Sequence, residues 1–203
     1  PAGVYRNGTD LQSQGRWRDS NLVRWFDNTL RPIGGWRTRS DTASAGQVRG
    51  LHSWIANNSD RWIAAGSYNK LYAYSGAGAR YDITPTGLTA GNEDALQPVG
   101  YGNAFYGLEY YGIARQEVTT IVPATTWAMD SWGEYLVACS SKDGKVYQWQ
   151  LNTGTIAAPV ANAPVNNRSI LVTEERFLMC LGAGGNPRLV QWSDRENNTV
   201  WTP

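Results

Sequence analysis

Along the chain, apolar and aromatic residues come in short alternating runs interrupted by Gly, Asn, Asp and Pro, and no segment keeps a helical 3, 4, 7 spacing over three turns. This pattern predicts an all-β protein. Three stretches share one design: Arg61-Trp-Ile-Ala-Ala-Gly66, Glu134-Tyr-Leu-Val-Ala-Cys139 and Arg176-Phe-Leu-Met-Cys-Leu181. Each leads into a second run of the form basic, aliphatic, Tyr or Val, small or Gln, aromatic: Lys70-Leu-Tyr-Ala-Tyr74, Lys145-Val-Tyr-Gln-Trp149 and Arg188-Leu-Val-Gln-Trp192. Lys142-Asp143-Gly144 and the looser Gly184-Gly185-Asn186-Pro187 supply turns between such runs, so the units read as hairpins of one type. A further short strand precedes each hairpin, over His52 to Ala56, Thr126 to Met129 and Ser169 to Thr173.

Units of three or four antiparallel strands recurring at about 40 residues are the sequence signature of β-propeller blades. The predicted fold is therefore a partial β-propeller of about three blade-like units. The hairpin tails lie 75 and then 43 residues apart, and the excess in the first interval is assigned to an insertion over residues 86–126, which lacks the paired-strand pattern. The domain organisation that follows is an N-terminal arm and hairpin over 1–49 and propeller blades over 50–203. Three blades do not close a ring, since propellers need at least four. Either the chain is the N-terminal part of a longer protein or neighbouring chains complete the ring; ending at Trp201-Thr-Pro203, just past a blade, favours the former.

The insertion carries Tyr101-Gly102, Tyr106-Gly107 and Tyr111-Gly112, a Tyr-Gly pair every five residues. A period of five matches neither a helix nor one face of a strand, so the rings point in different directions on a Gly-loosened backbone. Two roles are open to Tyr101, Tyr106 and Tyr111: an aromatic contact loop for sugar or protein, or a surface loop pinned by its own rings. Aligning the hairpins places Cys180 with Ala138 and Cys139 with Leu181, one pleat position apart, so the two side chains face opposite sides of their sheets. No disulfide is expected between them.

The N-terminal run Asn21 to Trp36 reads as a hairpin turning at Asp27-Asn28, with Pro32 holding the second strand at an edge. Arg16, Arg18, Arg24, Arg31, Arg37 and Arg39 interleave with Trp17, Trp25 and Trp36. Arg can stack on Trp within the arm, at about 0.5 to 1 kcal/mol per exposed pair, or the arm can dock on another subunit, where Trp and Arg are the usual anchors. So many rings in a segment without a core of its own favour docking.

Charge sharpens this division. The 203 residues carry a net +1, but residues 1 to 50 hold eight Arg and four Asp, a net of +4, and the remainder a net of −3. Only Lys70, Lys142 and Lys145 among the basic residues are lysines, a bias toward planar pairing and stacking that a GC-rich genome also produces. A near-neutral total removes the simplest case for a nucleic-acid binder. No uncharged apolar run approaches the ~18 to 20 residues that span a bilayer, and the start lacks a signal peptide's apolar region, which predicts a soluble chain made in a cytoplasm with no membrane anchor.

Catalytic chemistry finds little support. A Ser-His-Asp site would have to use His52, which sits in a predicted strand beside Leu51 and Trp54, and no Gly-x-Ser-x-Gly elbow occurs. There is no phosphate-binding Gly-x-x-x-x-Gly-Lys loop, and Gly182-Ala-Gly-Gly-Asn186 follows a strand without opening a helix. Glu174 and Glu175 are adjacent and point oppositely in a strand, which does not aim two acids at one sugar. Ser141-Lys-Asp143-Gly144 misses the Asp-box turn of sialidase-like propellers by one position. Two Cys and one His cannot build a zinc site of the usual spacing, so neither metal nor other cofactor is expected.

Gly3-Val-Tyr-Arg-Asn-Gly-Thr9, Gly15-Arg-Trp17, Asn21-Leu-Val-Arg-Trp25 and Leu30-Arg-Pro-Ile-Gly-Gly-Trp36 resemble the start of a family of tailed-phage virion proteins. The Tyr-Gly pentads, Trp127-Ala-Met-Asp-Ser-Trp-Gly-Glu134, Gln191-Trp-Ser-Asp194 and Trp201-Thr-Pro203 are similar to its later segments. The family is the propeller-bearing tail nozzle class of short-tailed phages, also described as tail tubular protein B or packaged-DNA stabilisation proteins. The resemblance implies a non-enzymatic structural protein of the virion tail, assembled in the host cytoplasm as a homo-oligomeric, hexameric ring around the DNA exit channel. Its implied partners are the adaptor on the portal side and the distal tail proteins, with DNA passing transiently and non-specifically. Two alternatives from other classes stay open: a carbohydrate-binding or glycan-cleaving propeller of a receptor-recognition protein, with the Tyr loop as stacking platform, and a cytoplasmic scaffold of the WD-repeat kind. Members of the family are typically much longer than this chain, which leaves ring closure and channel lining open.

Overall fold

The computed structural model describes residues 3–35, 37–40, 42–96 and 121–201. The chain divides into two compact units, Pro1–Arg39 and Ser40–Pro203. The first holds an antiparallel ribbon of β1 (Val23–Phe26) and β2 (Thr29–Pro32). Its turn falls at Asp27 and Asn28, with φ of 47° and 60°. Two successive left-handed residues match the twist of a two-residue hairpin, and Asp and Asn tolerate that conformation best among non-glycine residues.

The second unit is a succession of three antiparallel sheets in which every strand pairs with its chain neighbours. The first sheet is β3 (Gly50–Ile55), β4 (Arg61–Gly66), β5 (Leu71–Ser75) and β6 (Arg80–Asp82). The second is β7 (Trp127–Trp132), β8 (Tyr135–Ser140), β9 (Val146–Trp149) and β10 (Ala158–Pro159). The third is β11 (Ser169–Val172), β12 (Leu178–Leu181) and β13 (Val190–Trp192). A single 3-10 turn, Ala183–Gly185, is the only helical element among the described residues. The chain is thus all-β, as the hydrophobic alternation predicts. The short outer strands β6 and β10 escape that pattern because two or three residues carry no measurable period.

The leading strand of the second sheet, β7, packs against the leading strands β3 and β11 of the sheets on either side. Alternation along β8 then serves two cores at once. Leu136 and Ala138 join Trp54, Trp62, Ala64 and Leu71 of the first sheet, whereas Val137 and Cys139 join Ile170, Leu178 and Cys180 of the third. Trp62 meets Trp149 edge to face at 5.2 Å, and the indole N–H groups of Trp127 and Trp54 find carbonyls: Trp127 donates to Ser67 (2.7 Å), Trp54 to Glu134 (2.9 Å). Trp127 lies over the cross-strand pair Gly50 and Gly66, where a Cβ on Gly66 would come within 2.3 Å of the indole, so glycine here makes room for the ring.

Cys139 and Cys180 are free and buried, and burial pushes both thiols up to about 12. They do face opposite sides of their own sheets. Opposite faces of consecutive sheets, however, turn toward one another, so the two residues share one core instead of lying apart, as small inert hydrophobes.

The third hairpin departs from the repeat. In the second sheet Val137 lies opposite Gln148 and Leu136 opposite Trp149; the sequence equivalence would set Met179 opposite Gln191, but Met179 pairs with Trp192. The Leu189 carbonyl accepts hydrogen bonds from both Gly182 (2.9 Å) and Ala183 (3.2 Å), which holds Leu189 in the turn and delays the strand by one residue. A one-residue slip moves every side chain to the other face. Trp149 is consequently 1% exposed and Trp192 41%, although the sequence treats them as equivalent blade-ending residues. Trp149→Ala is expected to cost about 3–5 kcal/mol and Trp192→Ala under about 1 kcal/mol, as read from urea unfolding of dilute protein; equal losses would contradict the register.

Candidate functional site

Register sorts the arm ribbon into two faces. Arg24 lies opposite Arg31 and Phe26 opposite Thr29 on one; Val23 lies opposite Pro32 and Trp25 opposite Leu30 on the other. The guanidinium groups of Arg24 and Arg31 sit 5.7 and 5.0 Å from the Phe26 ring centroid, and Arg16 lies 5.6 Å from Tyr5. Among the described residues, stacking within the arm therefore falls on Phe26 and Tyr5, not on Trp17 or Trp25 of the Arg/Trp interleaving. Alternation explains this: in a strand Trp25 points away from both of its neighbours, so the ring on the arginine face is Phe26.

Trp17 is 56% and Trp25 40% exposed. The Trp17 backbone is fixed by bonds between Tyr5 N–H and its carbonyl (2.9 Å) and between its N–H and Gly3 O (3.3 Å), so the ring is presented by an anchored main chain. Arg18 pairs with Asp10; Arg37 and Arg39 are exposed in the chain that follows the ribbon. Trp36 lies outside the described residues. Like charges directly opposite one another are unfavourable in a sheet, and among the described residues neither Arg24 nor Arg31 has a carboxylate within 4.0 Å.

Tyr101, Tyr106 and Tyr111 also lie outside the described residues, but the stem that carries them does not. Leu96 and Val122 exchange backbone hydrogen bonds of 2.8 and 3.0 Å, and Asn92 N–H donates to Thr125 Oγ1 at 2.9 Å, so the insertion leaves and returns at one point. Asp143, which the sequence marks only as a turn residue, anchors the base of the insertion: its carboxylate accepts from Thr89 N–H (3.1 Å) and from the Tyr147 hydroxyl (2.5 Å). Burial pushes the Asp143 pKa up, but the bonds from Tyr147 and Thr89 outweigh it and hold the group below its ordinary value.

Beside this anchor lies a polar cavity of about 330 Å³, lined by Asn92 and Val122 of the stem, Lys142 and Gly144 of the β8–β9 turn, and Asn167 and Arg168. Asn167 is buried; its Nδ2 donates to Gly144 O (2.9 Å) and Pro164 O (2.5 Å), and among the described residues its Oδ1 has no partner. No signal in the sequence marks this convergence, because its parts come from segments up to 76 residues apart, from Asn92 to Arg168.

His52 is structural in its geometry. Its Nε2 lies 2.8 Å from Ser131 Oγ, joining β3 to β7, and its ring stacks on Trp54. Asp130, next along β7, accepts from Ser131 N–H and Val172 N–H, both at 2.8 Å, and so joins β7 to β11. Among the described residues, no group of three or more His, Cys, Asp or Glu is placed to hold a metal ion, and no helix is long and apolar enough to cross a membrane. Comparison of the chain with protein-family models, with curated proteins and with solved structures gave no match.

Three groups with depressed pKa values set the acid response: His52, Asp82 and Asp143. Burial lowers the His52 pKa from 6.5, against the opposing charge of Asp130, so the unfolded chain takes up that proton first and stability falls as pH drops from 6.5 through the folded value. Asp143 and the more exposed Asp82, both depressed, add a second loss as pH falls through the lower part of the carboxylate range. Thermal unfolding followed against pH should therefore decline in two steps. His52→Gln should remove the first step only, and Tyr147→Phe should flatten the second while costing about 1–3 kcal/mol at neutral pH.

Proposed function

We propose that the chain is a non-enzymatic structural protein of the tail of a short-tailed phage, in the tail nozzle class, its three sheets being consecutive blades of a β-propeller. The observation that carries this reading is the packing of β7 between β3 and β11, with each sheet running as a meander away from these leading strands. Blades arranged around a propeller axis pack in this way. The aromatic-Gly motifs that resemble the nozzle family supply the rest of the argument.

In this role the chain assembles as a homo-oligomeric ring, hexameric by resemblance, around the DNA exit channel. The arm docks on a neighbouring subunit or on the adaptor above it. Trp17 and Trp25 are the apolar anchors, since their rings are exposed on fixed backbone, and the unpaired Arg24 and Arg31 meet carboxylates of the partner. Near-neutral net charge suits a conduit, because many phosphate contacts would bind the passing DNA in a salt-dependent way and hold it. Trp25→Ala combined with Arg31→Ala is expected to abolish ring assembly in native mass spectrometry while the far-ultraviolet circular dichroism stays that of the parent. Unchanged assembly would remove the docking role.

A second reading, a glycan-binding propeller, is favoured by the polar cavity at the insertion stem, where Lys142 and Arg168 offer donors beside the buried amide of Asn167. It predicts signal for acidic saccharides on a glycan array that disappears in Lys142→Ala and Arg168→Ala; a blank array removes it.

A further inference from the structure

The arm ribbon has two edges, and they differ. Ile33 N–H donates to Leu22 O (2.8 Å), so residues 22 and 33 form a hydrogen-bonded pair, and bonded and non-bonded pairs alternate along an antiparallel ladder. Arg24 with Arg31 and Phe26 with Thr29 therefore turn their peptide groups inward, toward each other. Val23 and Trp25 on β1, and Leu30 and Pro32 on β2, turn theirs outward. Pro32 has no N–H, so the edge of β2 is interrupted. On β1 both Val23 and Trp25 present an N–H and a C=O, and among the described residues none of the four is bonded.

The ribbon also lacks cover. No residue of β1 or β2 is buried, and a two-stranded ribbon without a further strand or a layer over it is marginal in water. Its faces are distinct: Arg24, Phe26 and Arg31 share one, with both guanidinium groups over the Phe26 ring, and Val23 and Trp25 share the other. An open cavity of about 380 Å³ lies on the β1 side, lined among the described residues by Gly3 and residues 25–28 and by none of β2. Gly3 and Tyr5 do not occupy the edge of β1, because their backbone groups bond to Trp17.

We infer that the outer edge of β1 takes up a strand from a partner protein in which acidic and apolar residues alternate. An added strand satisfies the outward N–H and C=O groups of Val23 and Trp25 together. The phosphates of a nucleic acid would meet the arginines and the N–H groups but give the carbonyls no donor. On the incoming strand, the residue opposite Arg24 lies on the arginine face, where a carboxylate pairs with the guanidinium. Its neighbours lie beside Val23 and Trp25, where apolar side chains pack best. This pairing rests on the docking role proposed for the arm, and it gives that role a geometry and a partner chemistry.

The test uses the whole 203-residue chain and a fluorescent peptide of alternating Glu and Val, followed by anisotropy at neutral pH. The peptide is expected to bind, and a peptide of alternating Lys and Val is not. Methylating one alternate set of the peptide's backbone nitrogens should abolish binding while methylating the other set preserves it, since a strand bonds to an edge through every second amide. Arg24→Glu should weaken binding about tenfold or more, and Arg31→Glu much less, because Arg31 stands on the strand away from that edge. A Glu-Val peptide that fails to bind, binding that survives methylation of either set, equal losses in the two variants, or displacement of the peptide by an equally charged oligothymidylate overturns the added strand. The two arm claims are read separately. Ring assembly lost in Trp25→Ala with Arg31→Ala, but no peptide bound, removes the strand and keeps the docking role; peptide bound with ring assembly unchanged keeps the strand and removes the docking role.

Discussion

A sheet whose two faces are both apolar cannot stand alone, and the second sheet of this protein is such a sheet. From Leu136 to Ser140 every residue of β8 is buried, with alternate side chains assigned to separate cores. Burying a large aliphatic or aromatic side chain contributes about 1.5–3 kcal/mol, and it does so here only because a sheet lies on either side. The outer sheets are positioned by this requirement; on their outer faces Leu51 and Ile55 of the first and Trp192 of the third stay exposed, while Ala65 and Tyr72 of the first are buried.

Polar groups fix how the sheets align. Hydrophobic burial is non-directional, whereas the bonds from His52 to Ser131 and from Val172 N–H to Asp130 lie along the leading strands and hold β3, β7 and β11 in a set order. The indole bonds of Trp54 and Trp127 to carbonyls of the neighbouring sheet have the same effect. The single histidine thus joins sheets, and its neutral form is the one the seam accommodates. The surfaces proposed to function, the ribbon of the arm and the stem of the insertion, do not include it.

Strand identity was largely legible in the sequence because it depends on alternation, which neighbouring residues carry on their own. The Arg61–Gly66 and Val146–Trp149 strands and the Asp27-Asn28 turn all follow from local pattern. What escaped depends on relations between distant residues or on loop geometry. Trp192 matches Trp149 in sequence but not in register, since the Leu189 carbonyl is held by the Gly182–Ala183 turn, and only the folded loop reveals that. Interleaving along the chain does not mark Phe26 as the ring between Arg24 and Arg31, because only one face of the ribbon brings the three together. Asp143 reads as a turn residue, and its anchoring of the insertion depends on Thr89, 54 residues earlier.

The central claim is that the second sheet is sealed on both faces while the third is sealed on one. Native-state hydrogen exchange of the whole chain, read residue by residue, tests it most directly. The β8 amides that bond within the sheet should exchange only by global unfolding, and those of β13 should exchange faster through local opening at low protein concentration. Equal protection of β8 and β13, or faster exchange in β8, would contradict the account.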